Sequence, residues 1–79
     1  MLKWVKFILK LNLKQQIILK KLIDKILGWN LDWLDITKIV WKDNYYRCRT
    51  WKIRIIFYKE WNKYYIDDVD FRGRVYRWY

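Results

Sequence analysis

Between Asn12 and Leu27 the apolar residues recur with the period of a helix. Leu19, Leu22, Ile23 and Ile26 stand at i, i+3, i+4 and i+7 with Leu27 beside them, while Lys14, Lys21 and Lys25 project from the opposite side. That spacing predicts a helix with one packed face and one wet face. Asn12, with Gln15 three residues on, makes a capping box at its start, and Gly28 stops it at its C-terminal end. Residues 1–10, MLKWVKFILK, fit a short helix or an edge strand. Asn30 to Asp35 reads as a loop or turn, since Asn30, Asp32 and Asp35 are poor helix-interior residues and follow a glycine.

From Tyr45 onward the period changes to two. In YYRCRTW, Tyr45, Arg47 and Arg49 point one way and Tyr46, Cys48 and Thr50 the other; in KIRIIFY, Ile53, Ile55 and Phe57 oppose Arg54, Ile56 and Tyr58. Glu60, Trp61 and Asn62 make the next turn, and YYIDDVDF follows as a third strand. Short connections imply antiparallel neighbours, so residues 43–79 are expected to form a three-stranded meander covered on one face by the helix, with residues 1–42 as helical scaffold. The expected class is α+β, one domain over residues 1–79: a helix or helix hairpin packed on a small antiparallel sheet.

Composition narrows the chemistry. The chain has 79 residues, too few for more than one core, and 54% of them are hydrophobic, enough to fold. It holds no His, Ser, Ala or Pro, which excludes a Ser-His-Asp triad, His-ligated zinc and histidine acid/base catalysis. Neither a metal nor a cofactor is expected. Cys48 is the only cysteine and reads as a small half-buried thiol. No apolar run approaches the ~18 residues of a membrane span, and the expected location is the cytoplasm.

Eighteen Lys and Arg against eight Asp and Glu give a net charge of +10, a field that suits phosphates or an acidic protein, with membrane headgroups as a third candidate. All six arginines fall after residue 46, whereas nine of the twelve lysines fall before residue 43. Guanidinium groups grip phosphate through two parallel donors, so the recognition chemistry is expected in the C-terminal half. Arg47 and Arg49 share one strand face and Arg54 lies across the hairpin, close enough to converge or simply to form a solvated basic face.

The run DNYYRCRTWKIRIIFYKEWNKYYIDDVDFRGRVYR resembles the C-terminal signature of the RelE/ParE superfamily of toxins from type II toxin–antitoxin modules. There a Tyr-Arg-x-Arg strand, a tight turn, a Lys/Tyr-Arg-Ile-Ile-Phe strand and a final His-Arg-x-x-Val-Tyr segment recur. The upstream stretch FILKLNLKQQIILKKLIDKILGWNLDWLDITKI is similar to the family's helix hairpin and Leu-Asp loop. The resemblance implies a metal-independent endoribonuclease that cleaves mRNA on the ribosome and is neutralised by an acidic antitoxin. It places Arg54, Arg72 and Tyr76 at catalytic positions, the arginines to stabilise charge and the phenol to stack or transfer a proton. Arg47, Arg49, Lys52, Arg74 and Arg77 become RNA-binding candidates. A ParE-like inhibitor of DNA gyrase is the alternative, since it shares the strand motifs without the RNA chemistry; a truncated, inactive toxin is another.

The chain departs from the family in four ways. Arg47 and Arg49 stand where RelE carries lysines, and an arginine is no general base; Phe71 stands where relatives have His. Phe7-Ile-Leu-Lys-Leu matches the end of the family's first helix, so either Met1–Lys6 is a stub in place of an N-terminal strand or the start codon lies upstream of this reading. Finally, Trp29, Trp33, Trp41, Trp51 and Trp61 fall where relatives have glycine, which reaches φ > 0 without a Cβ clash. Either the source reads UGA as glycine, or these are genuine tryptophans adding core and stacking surface.

Overall fold

The structure, a computed structural model, describes residues 2–71. Helix α1 (Lys3–Leu9) settles the ambiguity of the N-terminal segment. Trp4, Phe7 and Ile8, at i, i+3 and i+4, turn one side of it onto the core. Helix α2 (Leu13–Leu27) begins as its sequence predicts: Gln15 N–H donates to Asn12 Oδ1 at 2.9 Å, and Asn12 N–H donates to Gln15 Oε1 at 3.3 Å. Gln16 ties the connection between the helices by donating from Nε2 to Leu11 O at 2.9 Å.

The C-terminal end of α2 differs from expectation in one residue. Gly28 occupies the cap with an ordinary φ of −89°, and the left-handed residue that turns the chain is Trp29, at φ 65°. The N–H of Asn30 returns to Lys25 O at 2.8 Å and that of Trp29 to Ile26 O at 3.2 Å. This pairing is the Schellman pattern, which satisfies two carbonyls left open by the last turn.

Among the described residues four strands follow, β1 (Asp35–Lys38), β2 (Tyr45–Arg49), β3 (Ile53–Glu60) and β4 (Lys63–Phe71), in spatial order 1-2-3-4 and antiparallel throughout. The expected three-stranded meander therefore gains a strand, which begins where the Asn30 to Asp35 loop ends and lies inside the stretch read as helical scaffold. Strand β1 pairs Ile36 with Cys48 and Thr37 with Arg47. The β3–β4 register slips once: Ile56 faces Asp68, Phe57 faces Ile66, and Asp67 is the extra residue of a bulge.

The helices cover one face of this sheet. Leu19, Ile23 and Ile26 of α2 meet Cys48, Ile53, Ile55, Phe57 and Val69 in a single buried cluster. Leu22 is half-buried at its margin and Leu27 is exposed. Each aliphatic side chain buried in full is worth about 1.5–3 kcal/mol, so this cluster, not surface charge, holds the domain together. Rings extend it: Phe7 meets Phe71 edge-on at 5.1 Å between centroids, and Phe57 stacks on Tyr46 at 5.5 Å. The fold is α+β, two helices on a small antiparallel sheet.

Candidate nucleic-acid interface

The other face of the sheet carries charged side chains and three of the tyrosines beside a buried Ile56 that packs with Ile39, and antiparallel register sorts them into rows. Residues directly opposite share a face, so one row runs Asp35, Arg49, Arg54, Asp70 across the four strands. The next runs Thr37, Arg47, Ile56, Asp68. The third is aromatic: Tyr45, Tyr58 and Tyr65 stack along the sheet, with centroids 5.1 and 5.4 Å apart and planes inclined at 26° and 21°. The bulge at Asp67 places Tyr65 on the same face as Asp68 and Asp70.

The structure thus brings Arg47, Arg49 and Arg54 to one surface, in unequal settings. Arg49 is exposed and donates from Nε to Asp35 Oδ2 at 3.0 Å. Arg47 is half-buried with its Nε shut off from solvent. Arg54 is only 9% exposed, so little of its guanidinium faces solvent. Lys52 is exposed in the β2–β3 turn, where Thr50 Oγ1 donates to Ile53 O at 2.9 Å. Arg72, Arg74, Tyr76 and Arg77 lie outside the described residues.

Three features of this surface were not anticipated. The tyrosine row depends on cross-strand register, and alternation within single strands gave only the facing of Tyr45 and Tyr58. Lys42 Nζ lies 4.4 Å above the Tyr45 ring, a cation–π contact from the β1–β2 loop. Beside β4, Lys3 and Lys6 of α1 and Lys10 at its C-cap line a groove of about 360 Å³ together with Phe7, Asp68 and Asp70. Their spacing of three and four residues puts these lysines on one side of the helix, which the scaffold reading of the N-terminal half passed over.

The acid/base groups of the face are phenols and carboxylates. Burial, followed by the negative charges of Asp67, Tyr58 and Glu60, pushes the Tyr45 phenol above its ordinary value, so it stays protonated near neutrality. Burial also raises Asp67 and Asp68; for Asp68 the Val69 N–H, donating at 2.9 Å, and Lys3 oppose the rise, while Asp70 and Asp67 add to it. Cys48 packs on the helix face, where burial and then Asp35 push its thiol up to about 11 and leave it unreactive near neutrality. Among the described residues no group of three or more Cys, Asp or Glu side chains is placed to hold a metal ion, and no helix is long and apolar enough to cross a membrane.

A second surface lies away from the sheet. Trp4, Ile8, Leu9, Leu13, Ile17 and Ile23 line an apolar groove of about 370 Å³ between α1 and α2, with Lys20 at its margin. Leu9, Leu13 and Ile17 are exposed there. Comparison with protein-family models, with curated proteins and with solved structures finds no match for this chain.

Proposed function

We propose that the chain is a RelE-like toxin of a type II toxin–antitoxin module, a metal-independent endoribonuclease acting on ribosome-bound mRNA in the cytoplasm. The observation that carries the reading is one sheet face on which a stacked tyrosine row runs beside Arg47, Arg49 and Arg54. Single-stranded RNA is bound by aromatic faces that stack on bases and cations that follow the backbone, and this face offers both. Cleavage by attack of a ribose 2′-OH needs charge stabilisation at the phosphorane and proton transfer on either side of it. Arg54 and Arg72 are assigned the charge, Tyr76 the proton or the stacking, and Arg47, Arg49, Lys52, Arg74 and Arg77 the hold on RNA.

An acidic antitoxin is the proposed partner. A net charge of +10 and an apolar groove between the two helices suit an acidic chain that lays an apolar side into the groove. The burial of Arg54 favours a second reading, a ParE-like gyrase inhibitor, because a guanidinium only 9% exposed has limited access to a scissile phosphate. Translating ribosomes incubated with the purified chain separate the two. The nuclease reading expects new mRNA 5′ ends that Arg54→Ala and Arg72→Ala abolish; blocked DNA supercoiling by gyrase with intact mRNA would replace it with the second.

A further inference from the structure

We propose that positions 29, 33 and 61 are glycine in the organism that makes this protein, each encoded by UGA and read there as glycine, not tryptophan. The inference rests on backbone geometry and is independent of the toxin reading. Among the described residues four that are not glycine have positive φ: Trp29 at 65°, Trp33 at 69°, Asn44 at 62° and Trp61 at 57°. Asn tolerates this region because its short amide bonds locally to the backbone, whereas a bulky side chain there is an outlier. Independent drift would scatter such outliers over many residue types. Here the other three are all tryptophan.

Each of the three fills the glycine position of a different motif. Trp29 is the residue after the cap in the Schellman pattern that ends α2, the position where glycine dominates. Trp33 is the third residue of the turn closed by Leu34 N–H to Leu31 O at 3.3 Å. Positive φ at that position alone is the type II pattern, which calls for glycine. Trp61 is the first residue of the two-residue loop between Glu60 and Lys63, and positive φ there but not at Asn62 is the type II′ pattern, again a glycine position.

Strain kept for function persists only where the surroundings over-determine it. Trp33 is 99% exposed and Trp61 91%, so no packing holds either in place. Trp29 is half exposed; its ring lies against the half-buried Tyr64 and beneath Lys59 Nζ, so its case rests on the Schellman geometry and not on a lack of neighbours. Trp4 is the counter-example. It is helical, half-buried and packed on the core, and we assign it as a genuine tryptophan. One letter therefore covers two populations, which a reassigned codon produces and selection on side chains does not. UGA differs by one base from the tryptophan codon UGG and by one base from the glycine codon GGA. Trp41 and Trp51 occupy turns without positive φ, so the geometry makes no demand there.

Sequencing the gene in its source, with peptide mass mapping of the protein from the same cells, tests the assignment. The expected result is UGA with a glycine mass at 29, 33 and 61, and UGG with a tryptophan mass at 4; a tryptophan mass at 29, 33 or 61 overturns it. A second arm uses the chain as written. Trp33→Gly and Trp61→Gly are expected to raise the folding equilibrium constant about fivefold each, with no such gain for Trp41→Gly. A fall at either position in a denaturant titration overturns the geometric argument.

Discussion

Arg49 donates from Nε to Asp35 Oδ2 at 3.0 Å, and this bond ties the edge strand β1 to the arginine row. Arg49 also faces Arg54 directly on its other side, an arrangement of like charges that costs stability unless carboxylates flank it. Asp35 at one end of the row and Asp70 at the other supply that flank. The bond is exposed, so its own contribution is at most ~1 kcal/mol. On the proposed RNA-binding reading its weight is larger, because a phosphate approaching Arg49 would have to compete with Asp35. Asp35→Asn is expected to tighten binding to single-stranded RNA while leaving the fold nearly as stable. Anisotropy titrations over a range of salt check this: the slope of log affinity against log salt steepens by up to ~0.7, one phosphate contact. Arg49→Ala flattens it by a similar amount.

The tyrosine row makes a separate demand. Tyr65 lies at its exposed end, so Tyr65→Ala removes a stacking surface without opening the core. A loss of about 1–3 kcal/mol in RNA affinity is expected, with a melting curve close to that of the parent and full affinity restored by Tyr65→Phe. Equal losses in the phenylalanine and alanine variants would assign the contact to the hydroxyl instead of the ring.

How far the fold was legible follows from where its information sits. Helix α2 announced itself through Leu19, Leu22, Ile23 and Ile26 and through Asn12 and Gln15, all local signals. The β2, β3 and β4 strands were legible through alternation. Strand β1 was not: Asp-Ile-Thr-Lys has four residues with only Ile36 half-buried, and pairing with β2 is what makes it a strand. Helix α1 is too short for its period to outvote a strand until its aromatic residues find the core. The arginine row was half-legible, since the shared face of Arg47 and Arg49 is local but the partners Asp35 and Asp70 are set by register. Tyr65 was hidden altogether, because the bulge at Asp67 decides which face it joins. The burial of Arg54 was not legible either, because strand alternation gives which face it shares with Ile56 and Tyr58 but not how far it is covered.

The capping box at α2 is a local device whose worth can be read directly. Asn12→Ala leaves the Gln15 N–H without its acceptor and is expected to cost ~1 kcal/mol. Leu19→Ala, in the buried cluster, is expected to cost about 2–5 kcal/mol and to bring a domain of this size close to unfolding. Shifts of the urea midpoint in that order, at unchanged slope, check the ranking.

Cys48 gives a probe of the same core. With its thiol pushed up to about 11 by burial and by Asp35, alkylation at neutral pH is expected to be slow in the folded chain. The rate rises sharply in denaturant, where the thiol returns to its ordinary value. Rapid modification without denaturant would mean that the β2 face of the core opens far more readily than its packing implies.

Asp68 sets the direction of the pH dependence. Its carboxyl is raised in the folded chain, first by burial and further by Asp70 and Asp67, against the pull of the Val69 N–H and Lys3. A raised folded value means that the native state holds the proton more tightly than the unfolded chain does. Its contribution is therefore stabilising below the ordinary carboxylate value and is lost as pH rises through the higher folded value. At neutral pH the ionised carboxylate is a net cost. Asp68→Asn keeps an oxygen for the Val69 N–H and removes the charge, so it is expected to raise the melting temperature near pH 7 and to change it little near pH 3. Asp67, raised mainly by burial and drawn down by Lys42, acts in the same sense. Melts of the parent and the Asp68→Asn chain across that range should converge on the acid side; divergence toward low pH would require Asp68 to be stabilised as a carboxylate, contrary to its setting between two other acids on β4.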